Sequence, residues 1–496
     1  MRFPDKQVDK NEGAAKNKLT GQKMKSFFMI RPGLILGFSI MASFALWAQK
    51  EKPNIILIMA DDMGYGDVGY YNPVLKTPFI DQMAKEGIQF NRFYVAVPVC
   101  SPTRGSILTG RHPYRYGIYS ANVGHMKKEE LTLAEVLKEQ GYATAHFGKW
   151  HLGTLTTAET DGNRGKPNDS SHYAPPWRHG FDISFSTEAK VPTWDPMITP
   201  AGFEDEMGNK KPGDHSGNSY WTGEGEKETK NLEGDDSRII MDRVLPFIKR
   251  SADAKRIFFA VVWFHTPHLP VITSETYRNF YKNYSEEEQH YYGAITAMDE
   301  QIGRLRSYLR DLKLDKNTII FFNSDNGPEG NSKSGKTQGS ALELRGRKRS
   351  LYEGGIRVPA IMIWPITLPS HKEINTPVTT TDIFPTIVSL LGIKPQNRVF
   401  PLDGIDIMSI IKNGQGRGAA ICFQFNRQLA ILDERYKLYS PDRGATYQLY
   451  DLLLDKKEQN DLSKEKPDIV NSLKKILADW LQSCKQSDEG KDYSKN

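Results

Sequence analysis

Three nearly continuous apolar runs along the chain predict strands that are buried on both faces. They are Asn54 to Ala60, Arg256 to Phe264 and Thr318 to Asn323. Such runs are typical of parallel sheets covered by helices. Segments with helical patterning lie between them, notably Thr132 to Gln140 and His290 to Leu312. This alternation predicts an α/β fold with a mostly parallel central sheet and helices on both faces.

Each of these runs stops at side chains that can bind a metal ion or move a proton. The first stops at Asp61 and Asp62, the second at His265 to His268, and the third at Ser324 to Gly327. Ligands of open parallel sheets bind beyond the carboxyl ends of the strands. We therefore expect these side chains to share one site.

The pattern changes at about residue 419, where short strand-like runs predict a smaller C-terminal subdomain with an antiparallel sheet. The predicted strands are Ala419 to Phe425, Gln428 to Leu432, Arg435 to Tyr439 and Gln448 to Asp451. Pro467 to Ser483 predicts a closing helix. The chain is divided accordingly into an N-terminal segment (1–48), a main domain (49–418) and the C-terminal subdomain (419–496).

Residues 154–237 form a long irregular stretch with poor periodicity. Stretches of this kind inside a compact protein are usually functional or flexible. The stretch is rich in aromatic residues, which either line a sugar-binding cleft or only pack the loops together: Trp177, Trp194, Tyr220 and Trp221.

The chain has 496 residues and a net charge of +6, and this charge is concentrated at the N-terminus. Residues 1–48 contain eight lysines and arginines but three acidic residues, so they carry +5 of that charge. A nucleic-acid-binding protein needs clustered positive charge on the folded domain. The remaining charge of about +1 argues against a nucleic-acid partner.

The N-terminal segment has the order of regions found in a secretory signal peptide. Basic residues bound Lys25 to Arg31, the run from Gly33 to Leu46 is apolar, and Ala48 offers a small residue before Gln49. This order predicts export to the periplasm or the medium, with translation starting at Met24 and residues before it as an upstream extension. An uncleaved membrane anchor is the alternative, but the apolar run is short for a stable span.

Four residues at the strand ends offer oxygen ligands: Asp61, Asp62, Asp325 and Asn326. No Cys/His cluster with zinc spacing occurs in the sequence, which contains three cysteines. Oxygen donors alone suit Ca²⁺ or Mg²⁺. A pair of Asp or Asn residues is also common in turns. A metal site is favoured here because both pairs, Asp61-Asp62 and Asp325-Asn326, are expected at the same edge of the sheet.

The segment from Val99 to Arg111 places a cysteine at a predicted helix start. Ser101 followed by Pro102 predicts a helix cap with proline in the first turn. Cys100 would then lie at a helix N-terminus, where backbone N–H groups favour an anion. The alternative is a small buried hydrophobic side chain. Cys422 and Cys484 either pair or stay free.

These motifs resemble those of the type I, formylglycine-dependent sulfatases, including secreted bacterial glycan sulfatases. The resemblance rests on blocks that follow the order of the family: Lys52 to Asp62, Cys100 to Arg104, Leu108 to Arg111, Gly148 to Gly153, Asn323 to Gly327 and Tyr352 to Gly355. Shorter matches, Tyr436 to Leu438 and Leu449 to Leu452, resemble the family's C-terminal subdomain. The resemblance covers roughly residues 52–462.

The resemblance implies an alkaline-phosphatase-like fold and sulfate ester hydrolysis. It implies that a maturase converts Cys100 to formylglycine, whose hydrated aldehyde attacks sulfur, and that one Ca²⁺ is held by Cys100 with Asp61, Asp62, Asp325 and Asn326. It implies further roles for five side chains: Arg104 holds the gem-diol, Lys149 and Lys348 grip the sulfate, His151 lies beside the nucleophile, and His268 protonates the leaving sugar oxygen.

Several of these assignments have structural alternatives. Lys149 and His151 could belong to an ordinary loop, and Lys348 lies in a charged run in which Arg347 and Arg349 either widen anion recognition or face solvent. His265 competes with His268 as the acid, although packing or a substrate contact suits it better. His112 either contacts the site or packs nearby.

The expected substrate is a sulfated sugar, such as galactose or N-acetylgalactosamine in a glycan. One alternative is a phosphate or phosphonate ester hydrolase of the same superfamily. Two-zinc members of that superfamily need a late Asp-His pair after a strand, whereas this chain has Asp325-Asn326 at that place. Its Asp-His pair, Asp214-His215, lies in the irregular stretch and follows no predicted strand. Another alternative is a catalytically silent glycan-binding protein.

Overall fold

The computed structural model describes residues 52–330, 337–395 and 401–493. The predicted signal peptide lies outside these ranges. The strands are β1 Asn54–Ala60, β2 Ile88–Phe90, β3 Phe93–Tyr94, β4 Ala143–Lys149, β5 Ile183–Thr187, β6 Trp221–Gly223, β7 Glu226–Lys227, β8 Phe258–Trp263, β9 Thr318–Ser324, β10 Arg357–Val358, β11 Ala360–Ile363, β12 Lys372–Ile374, β13 Val378–Thr379, β14 Ile421–Phe425, β15 Gln428–Leu432, β16 Tyr436–Ser440 and β17 Gln448–Asp451.

The helices in the same ranges include the three predicted segments. They are α1 Pro78–Glu86, α2 Cys100–Thr109, α3 Leu133–Glu139, α4 Asp236–Asp253, α5 Glu275–Arg278, α6 Glu286–Asp311, α7 Glu353–Ile356, α8 Ile383–Leu390, α9 Met408–Asn413 and α10 Pro467–Asp488. Helix α6 begins four residues before the predicted start. The reason is a capping box between Ser285 and Glu288, which extends the helix into a polar first turn.

The main sheet has ten strands in the order β12-β2-β11-β9-β1-β8-β4-β5-β6-β7. Its centre, β9-β1-β8-β4-β5, is parallel throughout, and the outer strands add antiparallel pairs. Alternate residues of β1 enter two separate cores, one containing Ile55 and Leu57 and the other containing Ile56 and Ile58. Helices α2 and α3 cover one face, and α1, α4 and α6 cover the other. The predicted α/β fold is confirmed.

The C-terminal sheet is an antiparallel meander, β14-β15-β16-β17. One face packs on helix α10 through Ile431, Leu438 and Leu477, which confirms the predicted closing helix. The other face packs against the main core through Phe423 and Leu432. The described chain from Lys52 onward is one compact unit, so the change of sheet type occurs within it.

None of the helices in the described ranges combines the length and apolar character needed to cross a bilayer. The irregular stretch between β4 and α4 contains the three short strands β5, β6 and β7 and a 3₁₀ turn, Pro176–Arg178, and otherwise consists of turns and loops.

Candidate active site

Two acidic pairs leave adjacent strands at the same edge of the main sheet. Strands β1 and β9 are parallel neighbours, with Ala60 opposite Ser324, so Asp61 and Asp325 emerge side by side. The backbone of Asp62 is left-handed, with φ +67°, and its N–H donates to Asp325 Oδ1 over 3.0 Å. Asn326 Nδ2 donates to Asp62 Oδ1 over 2.7 Å. All four side chains are buried in one cluster.

The donor set of this cluster fits a divalent cation. Asp61 Oδ1 and Asn326 Oδ1 are buried and have no hydrogen-bond partner among the described residues. Ligand atoms of Asp61, Cys100 and Asp325 lie within 4.8 Å of one another. A buried, unpartnered oxygen costs free energy that a bound cation would offset. Carboxylate and amide oxygens are the donors that Ca²⁺ and Mg²⁺ prefer.

Cys100 is the first residue of helix α2, as predicted, and its side chain is buried. Burial raises the pKa of its thiol. The predicted cap was wrong: Val99, with extended backbone, takes the capping position, and Ser101 lies inside the first turn. The Ser101 hydroxyl instead donates to the carbonyl of His151, which ties the start of the helix to the loop after β4.

Three cations surround the buried carboxylates. Arg104 Nη2 lies 2.7 Å from Asp325 Oδ2, and Lys149 Nζ lies 2.6 Å from Asp61 Oδ2. Lys348 Nζ lies 2.7 Å from Asp62 Oδ2. Burial alone would raise the pKa of Asp61, but Lys149 and then the other nearby cations hold it well below its ordinary value. The arrangement keeps a buried cluster of charges close to neutral.

The two histidines after β8 occupy different environments. His268 Nδ1 lies 2.7 Å from the Leu269 carbonyl, and its Nε2 lies 3.5 Å from Asp62 Oδ2. Burial lowers the pKa of His268 to about 3. His265 is fully buried, with Nδ1 2.8 Å from Asp236 Oδ2 and Nε2 within hydrogen-bond distance of a threonine. Of the two, His268 faces the cavity above the carboxylates.

His151 is held at both its backbone and its ring. Its backbone is left-handed, with φ +57°, and its N–H donates to the Glu188 carbonyl. Ring Nε2 lies 2.7 Å from Asn122 Oδ1, whereas Nδ1 is buried and has no partner among the described residues. Burial and then Lys149 hold the pKa of His151 well below its ordinary value.

A cavity of about 940 Å³ opens above this cluster. Six of the ten predicted site residues line it, namely Asp62, Cys100, Lys149, His151, His268 and Lys348. The other four lie beneath them and are held in the same cluster by ion pairs and hydrogen bonds: Asp61, Arg104, Asp325 and Asn326. Asn122, Lys190 and Glu329 also line the cavity, but they belong to no recognisable motif and were not predicted.

None of the four aromatic residues singled out in the irregular stretch lines this cavity, and Trp177, Tyr220 and Trp221 pack within the fold. Tyr220 stacks on Phe185 with ring centroids 4.0 Å apart. Trp221 is buried, and its indole N–H donates to Asp161 over 3.0 Å. Trp177 packs against the main core.

The remaining candidates lie at or outside the edge of the site. Arg347 donates to backbone carbonyls, including that of Glu329 over 2.9 Å, and Arg349 forms an ion pair with the Glu329 carboxylate. His112 packs edge-on against Trp480, away from the residues that line the cavity. All three cysteines, Cys100, Cys422 and Cys484, are unpaired.

Two family models and a named relative match this chain. The sulfatase family model matches residues 53–393, and the model of the C-terminal part of N-sulphoglucosamine sulphohydrolase matches residues 346–484. N-acetylgalactosamine-6-sulfatase from Canis lupus familiaris is 33% identical over 380 residues, covering 74% of this chain and 67% of that protein.

Solved structures show the same fold. The crystal structure of Ps i-CgsB in complex with k-i-k-neocarrahexaose superposes with a TM-score of 0.73 at 26% identity, covering 87% of this chain and 93% of that one. The phosphonate monoester hydrolase of Agrobacterium radiobacter superposes with a TM-score of 0.61 at 19% identity, covering 88% of this chain and 96% of that one, which shows a shared fold alone. The chain therefore belongs to the sulfatase family, within the formylglycine-dependent branch of the alkaline-phosphatase superfamily, and is an enzyme that hydrolyses sulfate esters.

Proposed function

We propose that this sulfatase removes O-sulfate from a sulfated sugar, such as galactose or N-acetylgalactosamine, with formylglycine made from Cys100 by a maturase. The observation that carries the proposal is the position of Cys100, which lies beside the carboxylates of Asp61 and Asp325 and lines the same cavity as Lys149 and Lys348. The cavity is far larger than a sulfate ion and leaves room for a sugar. The relative from Canis lupus familiaris is named as an N-acetylgalactosamine-6-sulfatase, which supports this class of substrate.

The carboxylates would hold one Ca²⁺, with Asp61, Asp62, Asp325 and Asn326 as ligands beside residue 100. When bound, the cation offsets negative charge on the attacking oxygen and on the sulfuryl group. Formylglycine supplies a hydrated aldehyde whose oxygen attacks sulfur and whose second hydroxyl allows sulfate to leave without a further attack at sulfur. Cys100 lies at the start of helix α2, where backbone N–H groups favour developing negative charge.

Lys149 and Lys348 would bind the sulfate oxygens, and Arg104 would orient the hydroxyls at residue 100. All three are fixed by ion pairs before substrate enters. Preorganised cations of this kind stabilise the charge that develops in the transition state. Their side chains are buried, so water screens this charge weakly.

The two histidines would move protons. His268, which lines the cavity, would donate from Nε2 to the leaving sugar oxygen. Because Nδ1 already donates to the Leu269 carbonyl, this step needs the doubly protonated ring, a form that burial disfavours and the carboxylates of Asp62 and Asp61 favour. An alkoxide is a poor leaving group, so this proton lowers the barrier. His151 would accept a proton at Nδ1 from the hydroxyl of residue 100, because that nitrogen is free and buried beside Lys149.

A phosphate ester hydrolase of the two-zinc kind is disfavoured by the residue set. The pair after β9 is Asp325-Asn326, and neither Asp214 nor His215 is among the described residues that line the cavity. A second metal site of the two-zinc kind is therefore not formed by the described residues.

The experiment is sulfate release by enzyme co-produced with a formylglycine-generating maturase. The substrates are galactose and N-acetylgalactosamine carrying sulfate at single known positions, with the matching phosphate esters as a parallel series. We expect release from one positional isomer and none from the phosphates. Cleavage of simple aryl sulfates and of no sugar would contradict the substrate class, and preferential phosphate release would contradict the reaction.

We further propose that residues 1–48 direct export and are removed, and that the catalytic domain (49–418) and the C-terminal subdomain (419–496) meet near residue 419. N-terminal sequencing of protein recovered from the periplasm or medium tests export. A mature chain beginning at Gln49 supports it, and a chain found only inside the cell contradicts it.

A further inference from the structure

Lys190 stands apart from the other cations of the cavity. Five lysines and arginines line it in the described chain: Lys149, Lys190, Lys210, Lys348 and Arg349. Four of them have a partner for the charged group: Lys210 donates to the Ser216 carbonyl over 2.7 Å, and the remaining three form ion pairs. The ammonium of Lys190 forms neither a hydrogen bond nor an ion pair with any described residue.

The backbone of Lys190 is nevertheless tightly held. Asn218, itself buried, accepts from the Ala189 N–H over 3.1 Å and donates to the Lys190 carbonyl over 2.8 Å. The preceding residues pair with the loop that carries His151, since the Glu188 carbonyl accepts from the His151 N–H. The base of this side chain is therefore fixed relative to the cluster while its charged end stays available.

The surroundings of Lys190 disfavour an isolated positive charge. Burial lowers its pKa, and the positive charges of Lys149 and Lys348 lower it further. The carboxylates of Glu206 and Asp62 act in the opposite direction, but they do not outweigh these effects. A partly desolvated ammonium costs free energy, and an anion supplied by a ligand would offset that cost.

We infer that Lys190 binds a second anionic group of the substrate, distinct from the sulfate that is removed. This inference rests on the proposed function, in which Lys149 and Lys348 take the scissile sulfate. Since Lys190 and His151 line the same cavity and the backbone of Glu188 links their loops, the second group belongs to the same sugar or to the neighbouring one. The substrate is then a polyanionic glycan, with either a further sulfate or a uronate carboxylate at this position.

Binding to an inactive full-length Cys100→Ala enzyme tests the inference. The probes are N-acetylgalactosamine 6-sulfate, N-acetylgalactosamine 4,6-disulfate and the disaccharide of glucuronic acid with N-acetylgalactosamine 6-sulfate, together with galactose 6-sulfate and galactose 2,6-disulfate. We expect at least one doubly anionic probe to bind roughly tenfold more tightly than its monosulfated counterpart. A gain in affinity for a disulfated sugar identifies the second group as a sulfate, and a gain for the disaccharide with glucuronic acid identifies it as a carboxylate.

The variant Lys190→Met, in the same background, should remove that gain while leaving the affinity for monosulfated sugars unchanged. Lys190→Arg should retain most of it. Lys316→Met is the matched control, because its side chain is 75% exposed on the surface, and it should change neither affinity.

Two results would overturn the inference. In one, no doubly anionic probe binds more tightly than its monosulfated counterpart; in the other, Lys190→Met weakens both equally, which would place Lys190 on the scissile sulfate. Sulfate release from the same sugars by the matured wild-type enzyme tests the proposed function separately. No release from any of them would contradict the reaction, whereas the binding difference would still report on Lys190.

Discussion

Asn122 Oδ1 accepts a hydrogen bond from His151 Nε2 across 2.7 Å. The same oxygen accepts from Asn163 Nδ2 over 2.8 Å, which identifies it as the acceptor end of the amide. The proton of a neutral His151 is therefore assigned to Nε2, and the lone pair to the buried Nδ1. A hydrogen bond of this kind fixes both the tautomer and the orientation of a ring.

Asn122→Ala should lower kcat by about 10- to 100-fold with a smaller change in KM, because His151 loses the group that fixes its tautomer. Steady-state kinetics on the preferred sulfated sugar measure this. In the double variant with His151→Ala, the loss should be no larger than that of His151→Ala alone. Losses that simply multiply would show that Asn122 does not act through His151.

Lys149→Ala should lower kcat/KM by about 10²- to 10³-fold, the range seen when one preorganised donor to a developing charge is removed. Because Lys149 also pairs with Asp61, thermal unfolding must be compared to separate activity from folding. Lys138→Ala is the matched control, since this half-exposed lysine pairs with Asp182 on the surface. An unchanged rate on sulfated sugar would remove Lys149 from the site.

Ca²⁺ should raise the Tm of the chelator-treated enzyme in a concentration-dependent way, since a ligand that binds the native state alone stabilises it. The orphaned oxygens of Asp61 and Asn326 are the reason to expect binding. Asn326→Ala should shift the Ca²⁺ dependence to higher concentration. Equal Tm values with chelator and with Ca²⁺, in the wild-type enzyme, would contradict a metal site.

His112 should make the enzyme less stable as the pH falls. Burial lowers its pKa to about 4, with Arg115 adding to the effect and Asp403 opposing it. Between pH 6.5 and 4 the unfolded chain therefore binds a proton that the folded chain excludes. The contribution of this one group to the free energy of unfolding should fall by about 2 kcal/mol from pH 7 to pH 5.

Urea unfolding at the two pH values tests this. His112→Gln should lose about that much less stability than the wild-type chain over the interval. His371→Gln, at an exposed position, is the matched control and should follow the wild-type chain. A His112→Gln variant with the wild-type pH dependence would show that His112 is not buried in its neutral form.

The sheet and its polar edge were predictable because a buried strand requires a continuous run of apolar residues, which is easily recognised in the sequence. A strand covered on both faces must be apolar throughout, so the abrupt change from Ala60 to Asp61 marks the end of the strand and the start of the site. The boundary of α2 was less predictable. Val99 takes the capping position through its backbone conformation alone. Because no polar side chain caps the helix, the sequence does not show where the helix begins.

The walls of the cavity could not be predicted, since they depend on long-range contacts. Asn122 and Lys190 lie in loops, and nothing in their own sequence neighbourhoods indicates that they meet His151 or face Lys149. The role of the aromatic residues in the irregular stretch was left open by the sequence. Trp221 and Tyr220 are equally compatible with a sugar cleft and with packing, and only their burial decides between these.

The most direct test of the account measures how sulfate release depends on the aldehyde content of residue 100. Preparations made with graded amounts of maturase are analysed by mass spectrometry of the peptide containing Cys100 and assayed on the same sulfated sugar. The account predicts a rate proportional to the aldehyde fraction, with no turnover by Cys100→Ala although that variant unfolds at the wild-type Tm. A rate independent of the aldehyde fraction, or turnover by Cys100→Ala, would contradict it.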